Sequence, residues 1–123
     1  MLIKKMVDNE PIQCKVVLVG ESGVGKTSLS NRYIKNSFFQ VFSNHGVLYE
    51  TKTVFLKDCN QSIKFEIWDT AGQEKYRSLA KVFYKNASAC ILVYDITKKD
   101  TFQELKNFWR NEVTSNAPEN MSK

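Results

Sequence analysis

The chain has 123 residues, 42% hydrophobic and 25% charged, which suits one soluble globular domain with a real core. Its formal charge of +5 is mild and its lysines run from Lys4 to Lys123 without forming a stripe, so a solvated surface fits better than a nucleic-acid face. No run approaches membrane-spanning length, Lys4 and Lys5 interrupt the apolar start, and Leu2 excludes N-myristoylation, so a cytoplasmic chain is expected.

Residues 1–12 are mixed and charged and read as a flexible leader, with one domain over 13–123. Gln13–Val19, apolar throughout after Lys15, predicts a strand buried on both faces. A helix follows over Lys26–Asn36, with Leu29, Tyr33 and Ile34 near helical spacing, and then an irregular stretch over 37–46. Val47–Lys57 and Ser62–Trp68 both alternate and flank the turn signal Asp58-Cys59-Asn60-Gln61, which predicts a hairpin with Ile63, Phe65 and Ile67 on one face. Glu74–Asn86 reads as a helix and Ala89–Ile96 as an apolar strand. Thr101-Phe102-Gln103-Glu104 resembles a capping box that opens a last helix. Phe102, Leu105, Phe108 and Trp109 are expected on one face of it, and Pro118 closes it. The three cysteines, Cys14, Cys59 and Cys90, are scattered, and their spacing argues against both a disulfide framework and a zinc site. Strands alternating with helices predict an α/β fold: a mostly parallel sheet with an antiparallel edge hairpin and helices on both faces.

Two segments carry chemistry. Gly20-Glu21-Ser22-Gly23-Val24-Gly25-Lys26-Thr27 matches G-x-x-x-x-G-K-[S/T] directly after a strand and at the start of a helix, and Ser28 continues it. Its glycines let the backbone wrap an anion, the helix end supplies N–H groups, Lys26 can reach terminal phosphates, and the Thr27 hydroxyl can ligate magnesium. These features point to a nucleoside-phosphate site on a P-loop NTPase fold. The second segment is Trp68-Asp69-Thr70-Ala71-Gly72-Gln73-Glu74. Asp69 ends an apolar strand, where its carboxylate can hold magnesium through water. Gly72 lets its backbone N–H approach a terminal phosphate, and the amide of Gln73 can orient an attacking water.

The segment Lys64–Glu74, together with Lys75-Tyr76-Arg77-Ser78-Leu79-Ala80, Phe83-Tyr84-Lys85-Asn86-Ala87 and Leu92-Val93-Tyr94-Asp95-Ile96-Thr97, resembles the Ras superfamily of small GTPases. Within it the likeness is to the Rab branch, nearest the endosomal subgroup, and it covers about residues 13 to 115. The resemblance implies GTP and GDP as ligands with Mg2+, residues 20–28 and Gly72 at the phosphates, Thr27 and Asp69 at the metal, and Gln73 as the catalytic residue. It also implies effector, exchange and GTPase-activating proteins as partners, in a vesicle-traffic switch on endomembranes. Tyr49, Trp68 and Phe83 match the aromatic trio by which Rabs present their state to effectors; core packing is the other reading of the same three residues.

The sequence departs from the family pattern in two places. In the first switch segment Asn44 and His45 stand where the family has threonine and isoleucine, and Ser43 could substitute by a one-residue slip. The expectation is slow hydrolysis and weakened magnesium affinity. Alternatively the chain is a non-hydrolysing interaction module with weak nucleotide binding or none. Second, the base-recognition motifs N-K-x-D and S-A-K and the prenylated cysteines are absent from this sequence, which reads as a truncated small-GTPase fold. Its membrane association would need a C-terminal lipid anchor not found in this chain. The outer edge of strand 89–96 is then left unpaired and is a candidate for self-association.

Overall fold

A computed structural model describes residues 10–38, 49–70 and 80–121. Its strands are β1 (Ile12–Val19), β2 (Glu50–Leu56), β3 (Gln61–Asp69) and β4 (Ala89–Leu92), joined in one sheet in the order β2-β3-β1-β4. β1 runs parallel to both neighbours, with Val17 opposite Trp68 on one side and Cys90 on the other. β2 is antiparallel to β3, which confirms the edge hairpin. The hairpin turns through a short 3-10 segment at Lys57–Cys59 and then Asn60 at φ 50, a left-handed conformation that asparagine tolerates.

Side chains alternate along a strand, so the run Val16–Val19 serves two faces at once. Val17 and Val19 pack against Phe83, Tyr84, Leu105, Trp109 and Val113. Val16 and Leu18 pack with Ile67, Phe65 and Ile34. The second face is covered by α1 (Lys26–Lys35). The first is covered by α2 (Ala80–Tyr84) and by a continuous run of α3 (Lys99–Glu104), a π turn at Leu105–Trp109, and α4 (Arg110–Asn116). The buried residues of α1 are Lys26 and Ser30, not the expected line through Leu29 and Tyr33. The small Ser30 is turned to the sheet, and beside it Leu29 and Tyr33 rim an apolar groove of about 340 Å³ that also takes in Val16, Leu18, Phe65 and Ile91.

The last helix differs from expectation in phase and in start. Its buried residues are Thr101, Leu105, Trp109 and Val113, each four apart. On a 3.6-residue helix a step of four drifts about 40°. The wider π turn takes up that drift and keeps the four on one line. Phe102 is therefore exposed, tilted against Tyr94 at 5.0 Å between ring centroids, and Phe108 is only half-buried. The helix also begins at Lys99, ahead of the expected capping box. The Thr101 hydroxyl instead accepts from the Asp95 N–H at 3.0 Å and donates to the Lys98 carbonyl at 2.7 Å, already inside the first turn. The helix ends at Asn116, with Ala117 extended as a residue before proline tends to be.

β4 stops at Leu92, short of the expected Ile96. Its partner β1 ends at Val19, and after the bond from the Val93 N–H to the Val19 carbonyl, 2.8 Å, no further β1 backbone remains to pair. A turn takes over, with one Asp95 carboxylate oxygen accepting from the Thr97 N–H at 2.8 Å and its hydroxyl at 2.6 Å. β4 is the sheet's edge strand opposite β2, with Ile91 and Leu92 exposed. Of the helix expected over Glu74–Asn86, the described part is α2, and residues 74–79 lie outside the described residues. Among the described residues no helix is long and apolar enough to cross a membrane.

Candidate functional site

The loop Gly20–Gly25 leaves β1 and delivers the first turn of α1. Gly20, Gly23 and Gly25 have φ of 149°, 81° and 103°, conformations that L side chains resist. At Gly20 the requirement is doubled, because an added Cβ would lie 2.1 Å from the Val93 carbonyl oxygen. The loop is thereby pressed against the end of β4. At the other end Gly25 is the N-cap of α1, with no side-chain cap bond and no acid in the first turn. The positive end of the helix dipole is thus left to whatever the loop holds.

Lys26 is buried, and its ammonium donates to the carbonyls of Gly20 and Glu21, each at 2.8 Å. The loop thus curls around a fixed positive charge, an arrangement suited to phosphate oxygens. The Thr27 hydroxyl donates to Asp69 Oδ2, which joins the α1 start to the β3 end although the two are 42 positions apart. Next to it the Thr70 hydroxyl donates to the Leu18 carbonyl at 2.8 Å and ties the β3 end to β1. A hydroxyl and a carboxylate side by side are hard oxygen donors of the kind magnesium takes. No group of three or more His, Cys, Asp or Glu side chains gathers as a metal site among the described residues. A cation at Thr27 and Asp69 would therefore draw its other ligands from phosphate oxygens and water.

The structure sets Thr27 beside Asp69 and joins Lys26 to Gly20 and Glu21. Gly72 and Gln73 lie outside the described residues, as do Ser43, Asn44 and His45. Sequence reasoning missed a tie across the molecule: the Trp109 indole N–H donates to Glu21 Oε1 at 2.7 Å, linking the π turn to the Gly20–Gly25 loop. No spacing signal could have revealed a pair 88 positions apart.

The aromatic trio is contiguous. Tyr49 stacks on Trp68 with centroids 4.9 Å apart, and Phe83 meets Trp68 edge-on at 6.0 Å. The two readings of these residues divide by depth: Tyr49 is 44% exposed, Trp68 is half-buried, and Phe83 is 4% exposed and part of the core. Below them the Lys15 ammonium lies 3.8 Å from the centre of the Trp68 ring and donates to the carbonyls of Val82 and Lys85. Burial lowers the pKa of Lys15, with Glu66 acting in the opposite direction. The Trp68 Nε1 is buried without a hydrogen-bond partner among the described residues.

The Ras family profile matches residues 15–123. A Rab-5B-like, ras-related protein of Dictyostelium discoideum is 46% identical over 107 residues, which cover 87% of this chain and 49% of that protein. The chain thus spans about half the length of this curated relative. The profile takes in Lys26, Thr27 and Asp69 together with the strands and helices that place them. The chain belongs to the Ras family.

Proposed function

We propose that this chain binds GTP and GDP with magnesium through Gly20–Ser28 and acts as a GTP/GDP switch in vesicle traffic. The support that carries the reading is the meeting of three features at one point: the uncapped α1 N-terminus, the Lys26 ammonium inside the loop, and the Thr27–Asp69 oxygen pair. Backbone N–H groups of the loop would hold the phosphates, Lys26 would reach the terminal ones, and Thr27 with Asp69 would hold the metal. Bound magnesium supplies charge neutralisation on the phosphate oxygens. Gly72 would approach the terminal phosphate, and Gln73 would orient the attacking water. Tyr49 and Trp68 would face effectors, with Phe83 supporting them from the core. Exchange and GTPase-activating proteins complete the proposed partners, and a lipid-anchored form would sit on endosomal membranes.

The second reading, an interaction module that hydrolyses nothing, is favoured by Asn44 and His45 in the first switch segment. Displacement of a fluorescent GDP analogue from the purified protein separates the two. The switch reading expects GDP and GTP to displace it, with binding weakened at least about tenfold in Lys26→Ala. In Asp69→Asn the magnesium dependence of binding should weaken. A wild-type protein that retains no guanine nucleotide in millimolar magnesium would leave the module reading in possession. Asn44→Thr should raise single-turnover hydrolysis and magnesium affinity; unchanged values would clear residue 44 of the predicted defect. The exposed β4 edge and its neighbouring groove also support self-association. A monomer by light scattering across a concentration series would count against that.

A further inference from the structure

Glu21 is an electrostatic problem for the loop it sits in. The function proposed above has Gly20–Thr27 wrap phosphates, and a carboxylate within that loop repels the ligand. The structure resolves the conflict by occupying both ends of the residue. Its backbone carbonyl accepts from the Lys26 ammonium at 2.8 Å, and its Oε1 accepts from the Trp109 indole N–H at 2.7 Å.

Trp109 is well placed for the task. It is buried in the core that covers Val17 and Val19, and the Phe108 ring braces it edge-on at 5.0 Å. It is also the last residue of the π turn, the feature that keeps position 109 on the inward line. We propose that Trp109 is a positioning residue for the phosphate loop: its N–H holds the Glu21 carboxylate toward the helix and off the bound phosphates. The indole would then raise nucleotide affinity without touching nucleotide, by removing a negative charge from the anion's surroundings.

The proposal rests on the nucleotide-binding reading, and its test uses wild type, Trp109→Phe, Glu21→Gln and the double variant. Phenylalanine keeps most of the packing and deletes the N–H; glutamine removes the charge and keeps an acceptor oxygen. Trp109→Phe is expected to weaken GDP binding roughly tenfold. Adding Glu21→Gln should restore affinity to that of Glu21→Gln alone, because no charge remains to be held away. If the double variant binds as weakly as Trp109→Phe, the indole acts by packing and the proposal fails. A Trp109→Phe protein with wild-type affinity ends it too.

A second measurement needs no nucleotide. Amide exchange of residues 21–25 in the nucleotide-free protein should quicken in Trp109→Phe while Val16–Val19 keep wild-type protection. Loosening of both together, or of neither, overturns the tether. A wild type that binds no GDP would instead defeat the nucleotide-binding reading, and loop exchange would still decide whether Trp109 restrains Glu21.

Discussion

On one face of the sheet Val17 and Val19 lie beneath α2 and the α3–α4 run, closed over by Phe83, Leu105, Trp109 and Val113. On the other face Val16 and Leu18 pack with Ile67 beside α1, and the groove next to them leaves Leu29, Tyr33 and Ile91 exposed. One strand supplies both faces through alternate residues, so the contrast comes from what covers β1 and not from β1 itself. The proposed site draws on this asymmetry. From the closed face come the Trp109 tie and the close approach of Gly20 to Val93, which fix the loop. From the α1 face come Lys26 and Thr27, the groups proposed to meet the ligand.

The largest test of the contrast is a matched pair of truncations. Phe83→Ala removes a ring that is 4% exposed and should cost about 3–5 kcal/mol in urea unfolding. Leu29→Ala removes a side chain that is 53% exposed and should cost under about 1 kcal/mol. Equal costs would mean that α1 carries as much of the core as the opposite face, and the comparison would be lost. The same logic sharpens the aromatic trio. Should the proposed effector binding exist, Phe83→Ala would lower it through lost stability, whereas Tyr49→Ala should weaken it with little change in stability.

Next in size is Gly20→Ala. The left-handed φ alone costs about 1–3 kcal/mol for a residue with a Cβ. The approach to the Val93 oxygen adds to that, because two backbones would have to part. Gly23→Ala shares the positive φ but meets nothing within 4 Å among the described residues, so it isolates the conformational part. If the two variants unfold at the same urea midpoint, the β4 contact contributes nothing.

The sequence made β1 legible because Val16–Val19 is apolar on both faces, and the hairpin legible because Asp58–Gln61 interrupts two alternating runs. The proposed site was legible for a related reason: phosphate binding calls for glycine, lysine and threonine in a fixed local order, which Gly20, Lys26 and Thr27 match. Asp69 was legible as the residue closing an apolar strand. What escaped were features decided by tertiary register. β4 ends at Leu92 because β1 ends, a limit that the residues of β4 do not encode. The inward face of the last helix follows a π turn, and nothing local in Leu105–Trp109 announces one. Thr101 resembled a cap by type and spacing, yet its hydroxyl joins the Asp95 turn instead.

That turn gives the smallest predicted effect, and one whose sign is fixed. The Thr97 hydroxyl, then the Thr97 backbone N–H, hold the Asp95 carboxyl below the usual aspartate value. A carboxyl with a lowered pKa in the folded state adds stability above its unfolded value of about 3.9, and loses it as pH falls through the folded value. Asp95 is exposed, so solvent screening keeps the contribution slight. Asp95→Asn should therefore trail wild type slightly in thermal midpoint at pH 6, and the gap should narrow as pH drops below about 4. A gap that stays constant to pH 3 would mean that the Asp95–Thr97 bonds act through geometry and not through charge. The turn between β4 and the closed face would then be held by its shape alone.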